Sequence, residues 1–343
     1  MPLPPSSSEF TEFSSPTLEA FLRQRLRGLE GPMALERIGG GQSNPTFFVS
    51  FDNRRMVLRK KPAGTLLPSA HAVDREYRVM NALTGTGLPV PPTVLFHEGS
   101  DIVGTPFYLM ERLDGRIFHD SSLPGMAPKE RQAIYLSMAE TMARLHNVDW
   151  QAARLGDYGK PGNYFSRQVG RWTRQWADGK VRENPDLERL TEWVASHIPG
   201  EERTVLSHGD FRLGNLMFHP VEPRVIAVLD WELSTLGHPL ADVAFNTTLW
   251  RMLPEEYGGI RGLDLATLGI PAENDYLETY YRSASHDVRL QPFHTAFAFF
   301  RWAVIFEGIG ARAARGNASS ANAAEVANLG FALARRGLEA AGI

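Results

Sequence analysis

Over the first third of the chain apolar and polar positions alternate mainly with period two. Beyond about residue 115 they recur mainly with the spacing of helices. Ser15-Pro16 reads as an N-cap followed by Pro in the first helical position, opening a helix through about Leu29. Ala34–Ile38 reads as a strand leading into Gly39-Gly40-Gly41, and Phe47, Val49 and Phe51 form one face of the next strand. Asp52-Asn53 has the chemistry of a hairpin turn, with Met56–Arg59 as the returning strand. One helix, from about Ala70 to Leu83, precedes two further strands near Thr93–His97 and Pro106–Arg112.

Past Asp114-Gly115 the longer pattern takes over, and Pro128–His146 sets Ile134, Met138, Met142 and Leu145 on a single stripe. The main exception is Arg224–Trp231, whose Val-Ile-Ala-Val-Leu core reads as a short buried strand. No internal repeat is visible. The pattern predicts an α+β protein with a disordered N-terminus over 1–14. A small antiparallel-sheet lobe with one main helix follows over 15–113, then a larger, mostly helical lobe over 114–343.

Composition narrows the function. The chain has 343 residues, 43% hydrophobic and 22% charged, with a formal net charge of −3. That near-neutral balance gives no general argument for nucleic acid or an acidic membrane as partner. The absence of cysteine excludes disulfides, thiolate zinc and a cysteine nucleophile, and suits a reducing cytosol. Ala296–Phe300 and Trp302–Phe306, the most apolar stretches, are split by Arg301 and fall short of the ~20 residues that cross a bilayer. Glu9 and Glu12 precede the first basic residue, Arg23, the reverse of a secretory or mitochondrial address. A cytoplasmic protein is the expectation.

The chemistry concentrates in Leu206-Ser-His-Gly-Asp-Phe-Arg-Leu-Gly-Asn215 and Val225-Ile-Ala-Val-Leu-Asp-Trp231. Asp210 and Asn215 lie in a loop-like stretch, and Asp230 ends an apolar strand that would project it from a rigid element. Two carboxylates and an amide oxygen are hard donors, suited to Mg²⁺ bridging phosphates and ill-suited to zinc. Phosphoryl transfer needs a carboxylate to orient the attacking hydroxyl and oxygen ligands for metal. His208-Gly209-Asp210 with Asn215, and Asp230 in Asp-Trp-Glu, resemble the catalytic and metal motifs of the aminoglycoside phosphotransferase family, relatives of protein kinases.

Val57-Leu-Arg-Lys-Lys-Pro, Ala70-His-Ala-Val-Asp-Arg-Glu-Tyr-Arg and Asp230-Trp-Glu-Leu-Ser-Thr-Leu-Gly-His-Pro are similar to a narrower group. These are the kinase-like domains found alone in bacteria or fused to acyl-CoA dehydrogenases. The resemblance covers roughly residues 25–340 and implies a two-lobed protein-kinase-like fold with ATP between the lobes. It implies Asp210 as catalytic base and Asn215 and Asp230 as Mg²⁺ ligands. The arginine that precedes the catalytic aspartate of protein kinases is Gly209 here, and the glycine of their Asp-Phe-Gly segment is Glu232. Both departures point to a site assembled without a phosphorylation switch.

In the small lobe, Glu76 shares a helical face with Val73, Tyr77, Met80 and Leu83, so a cationic partner is expected for it. Aligning Val57-Leu58-Arg59 with the kinase Val-Ala-Ile-Lys pattern gives Arg59 that role and the grip on ATP phosphates, with Lys60 on the opposite strand face. Gly40, Gly41, Gln42, Ser43 and Asn44 form a candidate phosphate-covering loop, and Met110, Glu111 and Leu113 sit where kinase-like folds hold adenine.

His208 reads as a residue that hydrogen-bonds the catalytic loop, Asp242 as a loop brace or dipole match, and His146 as a packed or capping histidine. Arg167, Arg171 and Arg174, beside Trp172 and Trp176, form a candidate rim for an anionic substrate such as a hydroxyacyl-CoA. The same arginines sit poorly with a polycationic aminoglycoside. The expected activity is an ATP-dependent small-molecule kinase acting on an alcohol group, functionally linked to an acyl-CoA dehydrogenase. Against it stand a weakly catalytic nucleotide-binding module, a kinase of aminoglycosides or other small alcohols, and a metal-dependent hydrolase using His208, His219 and His238.

Overall fold

The computed structural model describes residues 12–39, 44–64, 72–314 and 326–343. Contacts within the chain divide it into two compact units. The first holds the described residues up to Thr84, together with Val90–Asp114 and Asp230–Glu232; the second holds Gly85–Pro89, Gly115–Leu229 and Leu233 onward. The boundary near Asp114 lies where the hydrophobic period changes, but the short Asp230–Glu232 segment packs with the first unit.

The first unit is built on a five-stranded antiparallel sheet in the order β1-β2-β3-β5-β4. Its strands are β1 (Ala34–Arg37), β2 (Thr46–Phe51), β3 (Arg54–Lys60), β4 (Thr93–His97) and β5 (Phe107–Glu111). Asp52-Asn53 closes the β2–β3 hairpin, with Phe51 opposite Arg54. That register turns Phe47, Val49, Phe51, Met56 and Leu58 into one core with Leu18 and Leu22 of α1 (Ser15–Arg25). The second helix, α2 (Val73–Leu83), buries Glu76 among Val73, Val79, Met80 and Leu83.

The Ala70 start expected for the second helix, and residues 1–11 of the terminus expected to be disordered, lie outside the described residues, while Phe13 packs on the sheet core. Both ends of the first helix differ from the sequence pattern for local reasons. Ser14, rather than Ser15, caps α1 by accepting from the Thr17 N–H, so Ser15 and Pro16 occupy the first turn, where a missing N–H costs nothing. The helix stops at Arg25 instead of Leu29 because Leu26 turns extended, and Leu26 and Leu29 both pack on the sheet core.

The second unit contains α3 (Pro128–His146), α4 (Tyr164–Gly179), α5 (Pro185–Ser196), α6 (Pro239–Thr247), α7 (Leu265–Leu268), α8 (Glu273–Ser283), α9 (Pro292–Ala314) and α10 (Leu329–Ala341). Its two small ladders pair β6 (Val205–Ser207) with β9 (Thr235–Gly237) and β7 (Leu216–Phe218) with β8 (Val225–Val228). Strand β8 ends before Asp230, whose positive φ of 61° starts a tight turn at Trp231–Leu233. Helix α9 is apolar on all sides because α4, α5, α6 and α10 surround it. Among the described residues no helix is long and apolar enough to cross a membrane.

Histidines are buried uncharged in this unit. Burial, with neighbouring histidines, pushes His238 down to about 3, and burial first also lowers His286 and His294 to about 4 each. An unfolded histidine titrates near 6.5, so the unfolded chain takes up protons that the folded one refuses as the pH falls below that value. Stability is therefore full above pH 6.5 and declines between 6.5 and about 4, by about 2 kcal/mol at pH 5 for each fully buried ring. His238→Asn keeps an N-cap acceptor for the Leu240 N–H. Urea unfolding at pH 7.5 and 5.0 is expected to show a smaller acid loss in that variant than in the wild type.

Candidate active site

The loop after β6 is held from three directions. Asp242, on the first turn of α6 and fully buried, accepts from the backbone N–H of His208 at 2.6 Å and of Gly209 at 2.9 Å. Burial alone would raise its carboxyl, but the hydrogen bond and charge of His146, the charge of His208 and the Gly209 N–H hold it below the ordinary carboxylate range. Arg301 of α9 donates from Nη2 to the Gly209 carbonyl at 2.8 Å. The His208 ring donates from Nε2 to the Leu229 carbonyl at 2.9 Å and accepts from the Asp210 N–H at 3.2 Å, which makes it structural.

Gly209 itself adopts φ +83°, and a Cβ there would sit 2.6 Å from the Leu233 carbonyl oxygen. This explains why the position cannot carry the arginine of protein kinases.

The loop delivers Asp210 partly exposed, with its Oδ2 accepting from Asn215 Nδ2 at 2.7 Å and from Arg212 Nε at 3.2 Å. Asn215 Nδ2 also donates to the Asp210 carbonyl, so its amide nitrogen is committed and its oxygen faces elsewhere.

In the first unit Arg59 stands among carboxylates. Its Nε lies 3.1 Å from Glu76 Oε2 as an ion pair without hydrogen-bond geometry, and its Nη2 donates to Asp230 Oδ1 at 2.9 Å. Glu232 stands 3.9 Å from the same Nη2. Burial would lower the guanidinium pKa, but Glu76 first, then Asp230 and Glu232, raise it. Glu76 also accepts from Asn44 Nδ2 at 2.7 Å and Tyr108 Oη at 2.9 Å; burial still pushes its carboxyl up, to about 7, against Arg59. Lysine would not serve here in the same way, because a single ammonium lacks the guanidinium's planar fork of donors.

A cavity of about 360 Å³ opens in the second unit beside Arg212. Phe245, Trp302, Tyr257, Met138 and Met252 wall it, His119 and Asn246 add polar groups, and no carboxylate lines it among the described residues. Tyr257 stands half exposed with φ +68°, its ring 5.0 Å from that of Trp302. A non-glycine residue held there is strained.

The structure treats the sequence candidates unequally. Gly40, Gly41, Gln42 and Ser43 lie outside the described residues. Asn44 turns its side chain onto Glu76, and Lys60 faces away from Arg59 with its ammonium over the Phe13 ring. The Glu111 N–H is taken by the Pro92 carbonyl and its carboxylate pairs with Arg54; Leu113 lies beyond the end of β5. Of the arginine stripe, Arg167 is spent on the Gly162 and Lys160 carbonyls, whereas Arg171 lies over Trp172. Arg174 is exposed.

The histidines of the hydrolase reading are separated in role. His219 accepts from the Val221 and Glu222 N–H groups, His238 caps α6, and no cluster of three metal-binding His, Cys, Asp or Glu exists among the described residues. Two participants were missed from sequence. Tyr108 is the cross-strand partner of Arg59, so strand register would have found it. Arg301, the one charge that interrupts the apolar run from Ala296 to Phe306, was the stronger signal.

Comparison with known proteins gives the class. Residues 34–281 match the model of the phosphotransferase enzyme family, and the chain belongs to that family. It is 46% identical to acyl-CoA dehydrogenase family member 10 of Mus musculus over 90% of this chain. It is also 40% identical to family member 11 of Homo sapiens over 96% of this chain. It spans only 30% and 43% of those two proteins' lengths. A crystal structure from Ralstonia eutropha, of a protein provisionally called an aminoglycoside phosphotransferase, is 45% identical and superposes with a TM-score of 0.89, covering 96% of this chain and 98% of that one. A thermostable aminoglycoside phosphotransferase APH(4)-Ia mutant, in complex with AMP-PNP and hygromycin B, shares the fold at 18% identity and a TM-score of 0.62, covering 94% of this chain and 98% of that one. The protein is thus a phosphotransferase-family member with a kinase-like fold.

Gly209→Ala tests the loop directly. A Cβ against the Leu233 carbonyl at positive φ is expected to cost about 1–3 kcal/mol in urea unfolding, whereas Gly→Ala at an unstrained site stabilises. A melting curve unchanged by the substitution would contradict the packing described.

Proposed function

We propose that the protein transfers the γ-phosphate of ATP to a hydroxyl group of a small molecule, with Asp210 as the base that orients the hydroxyl. The observation that carries this reading is the double hold on Asp210 Oδ2 by Asn215 and Arg212, which aims a partly exposed carboxylate without burying it. The donor set fits Mg²⁺. With the Asn215 nitrogen committed, its oxygen is the free atom of the amide, and Asp230 supplies a carboxylate, both hard ligands. Mg²⁺ brought in on the triphosphate would neutralise phosphate charge. Arg59 would grip phosphate, and Glu76, too buried to touch nucleotide, would aim Arg59.

The acceptor is read from the aromatic cavity next to Arg212. Walls of Phe245, Trp302 and Tyr257 without a carboxylate suit an apolar hydroxylated chain, such as a hydroxyacyl-CoA, and disfavour a polycationic aminoglycoside. The names of the relatives, acyl-CoA dehydrogenase family members, support a link to acyl-CoA chemistry. One observation favours a second reading, a nucleotide-binding module without turnover: Arg59 already occupies Asp230 Oδ1 at 2.9 Å, where a metal ligand is needed.

ADP release separates the two readings. Hydroxyacyl-CoA esters, sugars, amino alcohols and aminoglycosides are offered with ATP and Mg²⁺. Stimulation by the esters is expected, falling at least about 10²-fold in Asp210→Ala while nucleotide still raises the melting temperature. Nucleotide binding with no ADP release in any mixture would support the module instead.

A further inference from the structure

Asp242 is the inner end of a file of hydrogen-bonded side chains. His146, at the end of α3, places Nε2 3.3 Å from Asp242 Oδ2 and Nδ1 2.7 Å from the hydroxyl of Tyr280 on α8. The same hydroxyl lies 2.9 Å from His286 Nε2, in the segment between α8 and α9. Asp242, His146 and Tyr280 are buried, while His286 is half exposed. Four side chains from separate elements thus connect a partly exposed imidazole to the backbone that carries Asp210.

Only one pattern of protons satisfies every contact when the rings are neutral. His286 Nε2–H donates to the Tyr280 oxygen, the Tyr280 O–H donates to His146 Nδ1, and His146 Nε2–H donates to Asp242. This leaves His286 Nδ1, buried with no hydrogen-bond partner, as the open acceptor of the file. A proton added there moves inward by exchange. The His286 Nε2 proton passes to the Tyr280 oxygen as the phenol's own proton passes to His146 Nδ1. The net product is a His146 cation against the Asp242 carboxylate and a neutral His286 in its other tautomer.

The consequence follows from one oxygen. Asp242 Oδ2 receives both the His208 N–H, at 2.6 Å, and His146 Nε2, at 3.3 Å. A neutral His146 is the weaker claimant and leaves the oxygen to the loop. A charged one competes for it, because a charge-assisted bond is about twice as strong. We propose that Tyr280 and His286 are positioning residues for the active-site loop, fixing the His146 tautomer so that Asp242 holds His208 and Gly209, and releasing that hold when the file takes up a proton.

The proposal rests on Asp210 being the working carboxylate, but its physical core concerns only the loop backbone. The charged and titratable groups around the file are Arg203, Arg289, Asp287 and Tyr281 near its outer end, Tyr276 beside Tyr280, and His208, His238 and Tyr164 near its inner end.

Amide hydrogen exchange of the nucleotide-free protein reads the hold on the loop whether or not phosphate transfer occurs. In the wild type, protection of the His208 and Gly209 amides is expected to drop about tenfold between pH 7.5 and 4, where His286 takes up its proton, after correction for intrinsic exchange. Tyr280→Phe is expected to show the lower protection already at pH 7.5, with no further pH dependence. His286→Gln, whose amide still donates to Tyr280, should keep the high protection at pH 7.5 and lose the acid response. It also serves if Tyr280→Phe does not fold. The acid limb of ADP release should flatten in both variants, with KM for ATP unchanged. Wild-type protection and wild-type pH dependence in His286→Gln or Tyr280→Phe would overturn the proposal, even with phosphate transfer established. Loss of ADP release in the wild type would instead overturn the kinase reading and leave the exchange result standing.

Discussion

The geometry of the second unit depends on one buried carboxylate. Asp242 has no solvent to satisfy it, so its two oxygens must be met by donors, and the donors available are the backbone of His208 and Gly209 and the ring of His146. Leaving such a group unpaired costs about 1–3 kcal/mol or more, a large share of the net stability of a domain. The loop is thereby tied to α6, and the tie works only with glycine at 209, because a side chain there would strike the Leu233 carbonyl. Arg301 closes the arrangement from α9 by taking the Gly209 carbonyl. What emerges from these constraints is Asp210, which follows the buried His208 and Gly209 and turns partly to solvent.

The first unit solves a different problem, the burial of a cation. Arg59 sits on the same strand face as its neighbours in β5 and would be untenable there alone. Glu76 from α2 and Asp230 each meet a different nitrogen of the guanidinium, and Tyr108 and Asn44 satisfy Glu76 in turn. An apolar helix face interrupted by a single glutamate is one signature of this contact, whereas β3 carries Arg54, Arg55, Arg59 and Lys60 and does not single out its partner. The need for a cation at Glu76 could therefore be reasoned from sequence, while the choice of Arg59 came from the resemblance to the kinase strand pattern.

Legibility followed the physics of each signal. The β2–β3 hairpin and the Pro128–His146 helix rest on local patterns and emerge in the structure, the hairpin with small shifts of its strand ends and the helix with none. The Asp210-Asn215 and Asp230 motifs were visible because their chemistry is dense in sequence. The file from Asp242 through His146 and Tyr280 to His286 was not, since its members lie up to 140 residues apart and each looks unremarkable alone. Among the arginines of α4, Arg167 is engaged by the chain itself, while Arg171 and Arg174 are exposed. A helical stripe of charge is easy to see, but the ends of Arg167 turn back to cap the carbonyls of the preceding loop. The aromatic cavity by Arg212 was likewise hidden, because its walls come from α3, α6, α9 and the segment around Tyr257.

The central claim is that the loop's position, set by Asp242, is what makes Asp210 competent. Asp242→Asn keeps the shape but presents an amide N–H to one of the two backbone donors, pushing the loop aside. Single-turnover transfer from ATP by that variant, measured beside nucleotide binding in the same preparation, is the direct test. The account predicts a loss of about 10²-fold or more in transfer, the scale of a displacement near 1 Å, with nucleotide binding retained. Transfer at the wild-type rate by a variant that binds nucleotide normally would contradict it.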